Sequence, residues 1–324
     1  ERRKRYVIDQ LIRPPPTPPD DLRPLTQHER ALFTMGGRTT ARKTDVQPSV
    51  SLAVSDEVAV GWEPDEHASG PPIIRSDALG SRLTPRKNVK GPGRELVIGL
   101  DFGTSSTKVV VADQSLNIGY AIPLVDGVGA SQYLLPSVLI ETDEGFYSLS
   151  GDGFRHADLK LAMLGTMDDD VVCSRVCAFL GLVIRSARAW LYENKGDQYL
   201  RADILWTLAL GQPASASQSD SHRGHFEQLA KVAWALAAKT RPISVNTARK
   251  AWRLREKLEL GDELEVRTMA ELTAQIHGFV SSSHFDERQP NVYLMVDVGA
   301  GTLDASVFRV KKDAGGTVSF ALFT

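Results

Sequence analysis

The chain has 324 residues, 42% of them hydrophobic and 24% charged, with a net charge of −2 at pH 7. That balance is typical of a globular protein and lacks the basic excess that draws a chain to nucleic acid or anionic membrane. No apolar run approaches the roughly twenty residues that span a bilayer, and the basic start Glu1-Arg2-Arg3-Lys4-Arg5 runs into prolines rather than a signal-peptide core. A cytoplasmic location is expected, with neither nucleic acid nor membrane as partner.

Most of the 17 prolines precede Gly93, including Pro14-Pro15-Pro16 and Pro18-Pro19, and the apolar residues there keep no period. Residues 1–93 are therefore expected to form a Pro-rich, disordered or loosely attached leader, unable to bury enough apolar surface to offset ordering. The chain begins without methionine and ends at Phe320-Ala321-Leu322-Phe323-Thr324, inside a strand-like run, as a piece of a longer protein would.

Glu95 to Asp113, ELVIGLDFGTSSTKVVVAD, then gives two runs of strand formers around a Gly/Thr/Ser break. Asp101 stands at the entrance to the turn. Gly103 removes the side chain that would keep a ligand from the backbone, while Thr104, Ser105 and Ser106 add hydroxyls, so a polyphosphate could meet several N–H donors there.

Leu116 to Ile122 predicts a third strand, and Gln132 to Ile140 an extended segment broken by Pro136. Glu141 to Phe154 gives turns around a short strand. Asp168 to Asp170 suit a helix start, and Val172, Val176, Phe179, Val183, Ala187 and Trp190 at spacings of three and four predict an amphipathic helix over 171–194. Cys173 and Cys177 fall in it as packing residues rather than a disulfide or half a metal site.

A strand follows at Asp203 to Leu210, then a helix carried by Phe226, Leu229, Val232, Ala233 and Leu236, a less regular helix over 245–258, and a strand at Leu264 to Arg267. Met269, Leu272, Ile276 and Val280 line one face of a helix leading to Asn291–Val310, NVYLMVDVGAGTLDASVFRV. This last stretch repeats the first hairpin: setting Asp101 on Asp297 puts Gly103 on Gly299 and Ser106 on Thr302. Two such turns, each preceded by a carboxylate, could grip one nucleotide and hold a magnesium ion between them. The alternation of strands and helices predicts an α/β fold built on a mixed, mostly parallel sheet flanked by helices.

GLDFGTSSTK and VDVGAGTLD resemble the two phosphate motifs of the actin, sugar-kinase and heat-shock-chaperone ATPase superfamily. Leu135-Pro136-Ser137, Gly151-Asp152 and Met269-Ala270-Glu271-Leu272-Thr273-Ala274 are similar to segments of its seventy-kilodalton heat-shock chaperone branch. The resemblance implies an actin-like ATPase fold, with a ribonuclease H-like first lobe complete over 94–288 and a second lobe only begun over 289–324. It implies ATP and magnesium as ligands, with Asp101 and Asp297 holding the metal, largely through water. Gly103, Thr104, Ser105, Gly299 and Gly301 would cradle phosphates, and Thr302 would touch the γ-phosphate. Glu271 would stand near the attacking water, and Lys160 would match the lysine that steadies it.

Phosphoryl transfer to water needs placement and charge neutralisation more than covalent help, so such a set suffices for a slow ATPase switch. Departures point to a divergent relative: Lys108 is more typical of the actin and sugar-kinase branches, where it reaches a phosphate, Ala300 replaces a usual glycine, and Leu272 a usual proline. Because the family's adenosine clamp would follow Thr324, the 324-residue chain is expected to be weak or inactive alone. Its ATPase activity, and any client protein or co-chaperone, are expected of the full-length protein. A sugar-type small-molecule kinase and a non-hydrolysing nucleotide-binding scaffold are the alternatives. Asp101-Phe102-Gly103 also spells the magnesium triplet of protein kinases, but no His-Arg-Asp loop precedes it. His222 and His225 lack further ligands at metal-binding spacing.

Overall fold

The protein is described by a computed structural model, covering residues 51–53, 70–82, 93–213, 220–239, 241–260, 264–280, 285, 292–298, 303–312 and 318–323. All of these fall within one compact unit, Thr44–Thr324.

Strand β2 (Gly93–Phe102) shows how the main sheet arises. Its alternation buries Leu96, Ile98, Leu100 and Phe102 on one face and leaves Val97, Gly99 and Asp101 half-buried on the other. The turn Gly103–Ser105 returns the chain antiparallel as β3 (Ser106–Asp113), and β4 (Ile118–Ala121) pairs antiparallel with β3. On the other side of β2, β9 (Asp203–Gln212) and then β10 (Leu264–Ala270) add in parallel. At the far edge β1 (Ser51–Ala53) runs parallel to β4, and the two-residue β5 (Leu135–Pro136) pairs with the start of β3. The sheet is thus mixed, with as many antiparallel pairings as parallel, because the hairpin and β4 supply an antiparallel half that helix-strand alternation alone does not reveal.

The helix predicted over 171–194 is α3 (Asp170–Asn194), capped by Asp169, whose carboxylate accepts from the amides of Val171 and Val172. Its period predicts one buried stripe, yet it is buried around most of its circumference. The sheet core lies against it, together with α5 (Asp220–Ala237), α6 (Val245–Arg253) and a short α1 (Asp77–Gly80). Cys173 and Cys177 are buried free thiols in this core; burial pushes the Cys173 thiol up to about 12 and that of Cys177 well above its usual value. Trp206 of β9 and Trp234 of α5 meet at 5.8 Å between ring centres.

Several boundaries differ from the sequence pattern. Residues 132–140 divide into the end of a 3-10 turn (Gly129–Tyr133), β5 and β6 (Leu139–Glu141). Strand β6 joins β7 (Tyr147–Ser148) and β8 (Phe154–His156) in a small antiparallel sheet that leads to α2 (Leu159–Gly165). A second short helix, α4 (Gly196–Tyr199), follows α3. Helix α6 stops at Arg253 and a 3-10 turn takes Arg255–Lys257. Met269 belongs to β10, where it is exposed, because the strand runs on to Ala270 before α7 (Glu271–Val280) begins.

The clearest correction concerns the expected leader. Residues 70–82 pack on the body: Arg75 donates to Glu193 at 3.1 Å and to the carbonyl of Pro123 at 2.9 Å, and α1 sits against α3. Their turns bring a few charged and apolar residues onto partners distant in sequence, which composition cannot show. Beyond these and the backbone of β1, the leader lies outside the described residues.

The second hairpin forms as a separate three-stranded antiparallel sheet, β11 (Val292–Val298), β12 (Leu303–Lys312) and β13 (Val318–Phe323). Ile276 of α7 packs with Phe308 and Val310 of β12, and Phe279, Tyr293 and Phe308 gather there, with Tyr293 stacked on Phe308 at 5.5 Å. No helix among the described residues is long and apolar enough to cross a membrane.

Candidate functional site

The Gly103–Ser105 turn is held from three directions. The Gly103 amide donates to the Ser106 carbonyl at 3.1 Å, and a Cβ on residue 103 would lie 2.3 Å from that oxygen, so no larger residue fits without shifting backbone. The Ser137 amide donates to the Ser105 carbonyl at 2.9 Å, and the Ser137 hydroxyl to the Gly103 carbonyl at 2.8 Å. Since a hydroxyl has one hydrogen to give, the 2.9 Å contact between Thr107 and Ser137 is then a donation from Thr107. Both residues are buried, so β5 and the segment after it brace the turn from beneath. Of the three amides expected to face a phosphate, that of Gly103 is engaged inside the turn. Those of Thr104 and Ser105 stand outside its internal hydrogen bonds.

A row of charges crosses the end of the sheet beside this turn. Asp101 and Lys108 are register partners on β2 and β3, joined at 2.9 Å and each about half exposed. Because Leu100 pairs with Leu210 on parallel strands, Asp101 stands next to Gly211 with its side chain on the same face. Over Gly211 lies Glu271, the first residue of α7; a Cβ on residue 211 would be 3.3 Å from the Glu271 Cγ. Asp101 and Gly211 therefore occupy neighbouring strand positions, about 4.8 Å apart by strand spacing, and the Glu271 side chain lies over the second of them. From the other side Lys160 of α2, only 8% exposed, donates to Glu271 Oε1 at 2.6 Å. The row reads Lys108, Asp101, Glu271, Lys160, at the carboxyl ends of parallel strands β2, β9 and β10, where open α/β sheets place their ligands.

The two ion pairs differ in strength. An exposed pair such as Asp101 with Lys108 contributes about 0–1 kcal/mol, so Asp101 can exchange its lysine for another cation at little cost. Breaking the more buried pair by removing one partner costs about 3 kcal/mol or more. One carboxylate is thus exchangeable, and the other is held in place.

Among the expected site residues, Asp101, Gly103, Thr104, Ser105, Lys108, Lys160 and Glu271 are brought to one end of one sheet. Asp297 lies on β11 opposite Asp304, but its side chain, like Gly299, Gly301 and Thr302, is outside the described residues. No group of three or more His, Cys, Asp or Glu able to hold a metal occurs among the described residues. His225, with Sγ of Cys173 3.7 Å from its Nε2, meets Trp252 edge to face in the core, and burial lowers its pKa. The sequence pattern did not single out Thr107, Ser137 or Gly211 as site residues. Ser137 carried a signal, since a hydroxyl following a proline in a buried extended segment needs a backbone partner. No protein-family model matches the chain, and comparison with curated proteins finds no match.

Proposed function

We propose that this chain supplies the phosphate-binding half of an ATP-dependent switch with an actin-like fold, of the heat-shock chaperone type, that binds magnesium and ATP and hydrolyses slowly. The observation that carries this reading is the Lys160 to Glu271 contact, which joins residues 111 apart in sequence beside Asp101. They are the two residues that the resemblance puts beside the attacking water. A ribonuclease H-like lobe is further supported by a three-stranded meander continued by two parallel strands.

The residues suit the ligands. Asp101 is a carboxylate whose present partner is easily exchanged, and the glycine turn brings backbone close to where phosphate oxygens would lie. A bound magnesium ion would neutralise phosphate charge. Lys108, once released from Asp101, can turn to a phosphate oxygen from the same strand end. Glu271 offers a fixed acceptor to a water, and Lys160 keeps that acceptor in one orientation.

Calorimetric titration tests the reading. ATP binding should weaken at least about tenfold when magnesium is chelated and by a similar factor on Asp101→Asn. The 324-residue chain should discriminate poorly between ATP and other triphosphates, its expected contacts being to phosphate. Equal affinity with and without magnesium, together with an unaffected Asp101→Asn variant, would remove the proposal. Phosphate release unchanged by a panel of sugars separates the switch from a small-molecule kinase.

A further inference from the structure

Strand β10 ends the main sheet on its side: β9 pairs with it from Leu264 to Ala270, and no strand among the described residues pairs along its other edge. The backbone groups that point that way are a template for a further strand. The helix layer also stops short of β10. On the face that carries the helices, Ile204, Trp206 and Leu208 of β9 are at most 3% exposed, whereas Leu264 and Val266 of β10 are only partly buried.

The opposite face of β10 carries its charge. Glu265 and Arg267 are both more than half exposed, and Arg267 donates to the two carboxylate oxygens of Glu265 at 2.8 and 2.9 Å. Charge on a sheet edge commonly deters a second chain. Here its arrangement selects one. When two copies of β10 run antiparallel with Val266 opposite Val266, Glu265 of each copy stands opposite Arg267 of the other, and Leu264 opposite Thr268. Moving the two-fold axis by one residue, to Glu265 or to Arg267, sets that charge against its own like instead.

A copy seated in this way completes what the helix layer leaves open. Val266 gains its own counterpart as an apolar neighbour, the free backbone groups of both strands are paired, and the four charges alternate in sign on a face that stays in water. The contact is isologous, so each copy gives and receives the same surface and this edge is closed at two. The paired segment, Leu264–Thr268, stops short of Glu271 and the row of charges.

We propose that β10 is a self-association surface, through which a second copy of this chain pairs antiparallel about Val266 and the two main sheets become continuous. The test is sedimentation velocity of the 324-residue chain over a concentration series at low salt, where surface charge is least screened. The parent should pass from monomer to dimer. Glu265→Arg and Arg267→Glu should each raise the dissociation constant at least about tenfold, because each sets like charges opposite one another at two places. An equimolar mixture of the two variants should dimerise as tightly as the parent, since each then offers the other the opposite sign at both positions. Val266→Cys should cross-link to its own copy on mild oxidation, the native Cys173 and Cys177 being buried. A parent that stays monomeric, as it would if this edge served a strand of another protein, would overturn the proposal. So would single variants that dimerise as tightly as the parent, or a mixture that stays monomeric. If a single variant does not fold, the Val266→Cys cross-link decides, its absence counting against the proposal.

Discussion

Glu271→Gln should slow single-turnover phosphate release from bound ATP about 10²-fold while leaving ATP affinity close to that of the parent and costing less stability in urea than Glu271→Ala, since Lys160 loses its counter-charge but keeps a hydrogen-bond acceptor. The amide keeps the size of the side chain and an acceptor for Lys160 Nζ, now 2.6 Å from Glu271 Oε1, but no longer accepts a proton from water. Glu271→Ala should slow release by a similar factor and in addition cost about 3 kcal/mol of stability, because it strands a lysine that is only 8% exposed. Lys160→Met should recover much of that loss in the Glu271→Ala background, since the buried charge is then gone. A double-mutant cycle in urea reads the coupling. Release unchanged in Glu271→Gln would take the residue out of the chemistry even if its ion pair proved strong.

Gly103→Ala should be the most disruptive change of one methyl group in the first hairpin. The added carbon would meet the Ser106 carbonyl oxygen at 2.3 Å, and that oxygen already accepts from the Gly103 amide, so the turn must open. Opening it pulls Gly103 and Ser105 from the two hydrogen bonds with Ser137 and leaves polar atoms of Ser137 buried without partners. About 2–3 kcal/mol of stability should be lost, with nucleotide affinity falling at least about tenfold as the turn loses its shape. Ser137→Ala should lose less, about 1 kcal/mol, because the Ser137 backbone amide still holds Ser105. Denaturant unfolding and calorimetric titration separate stability from binding. An unaltered unfolding midpoint in Gly103→Ala would mean the turn adopts another conformation.

Local pattern made some of this legible. Strand β2 shows its alternation in Leu96, Ile98 and Leu100, and α3 shows its period and its aspartate cap, because each depends on residues a few positions apart. The repeated Asp-x-Gly drew attention to Asp101, and the likeness of short segments drew it to Lys160 and Glu271. Their meeting could not be read from pattern, since it depends on β10 ending beside β9 and on α2 arriving from the small β6–β8 sheet. Met269 shows the opposite failure: its helical spacing from Leu272 and Ile276 was coincidental, and pairing with Gly211 drew it into a strand. Arg185 and Arg188 were equally silent, as nothing in the spacing of two arginines on a helix says that both will be buried at the end of another.

The packing of residues 70–82 bears on how this domain can be cut. A boundary placed by composition would begin the folded part near Gly93, where the strand formers start. A chain trimmed there would lose Arg75 from Glu193, Asp77 from Arg185 and the backbone bridge from Pro72 to Val125. It would also open one side of α3 to solvent. Solubility trials on such a shortened chain would then report the stripped helix rather than the domain itself, and a cut upstream of Gly70 keeps this cover in place.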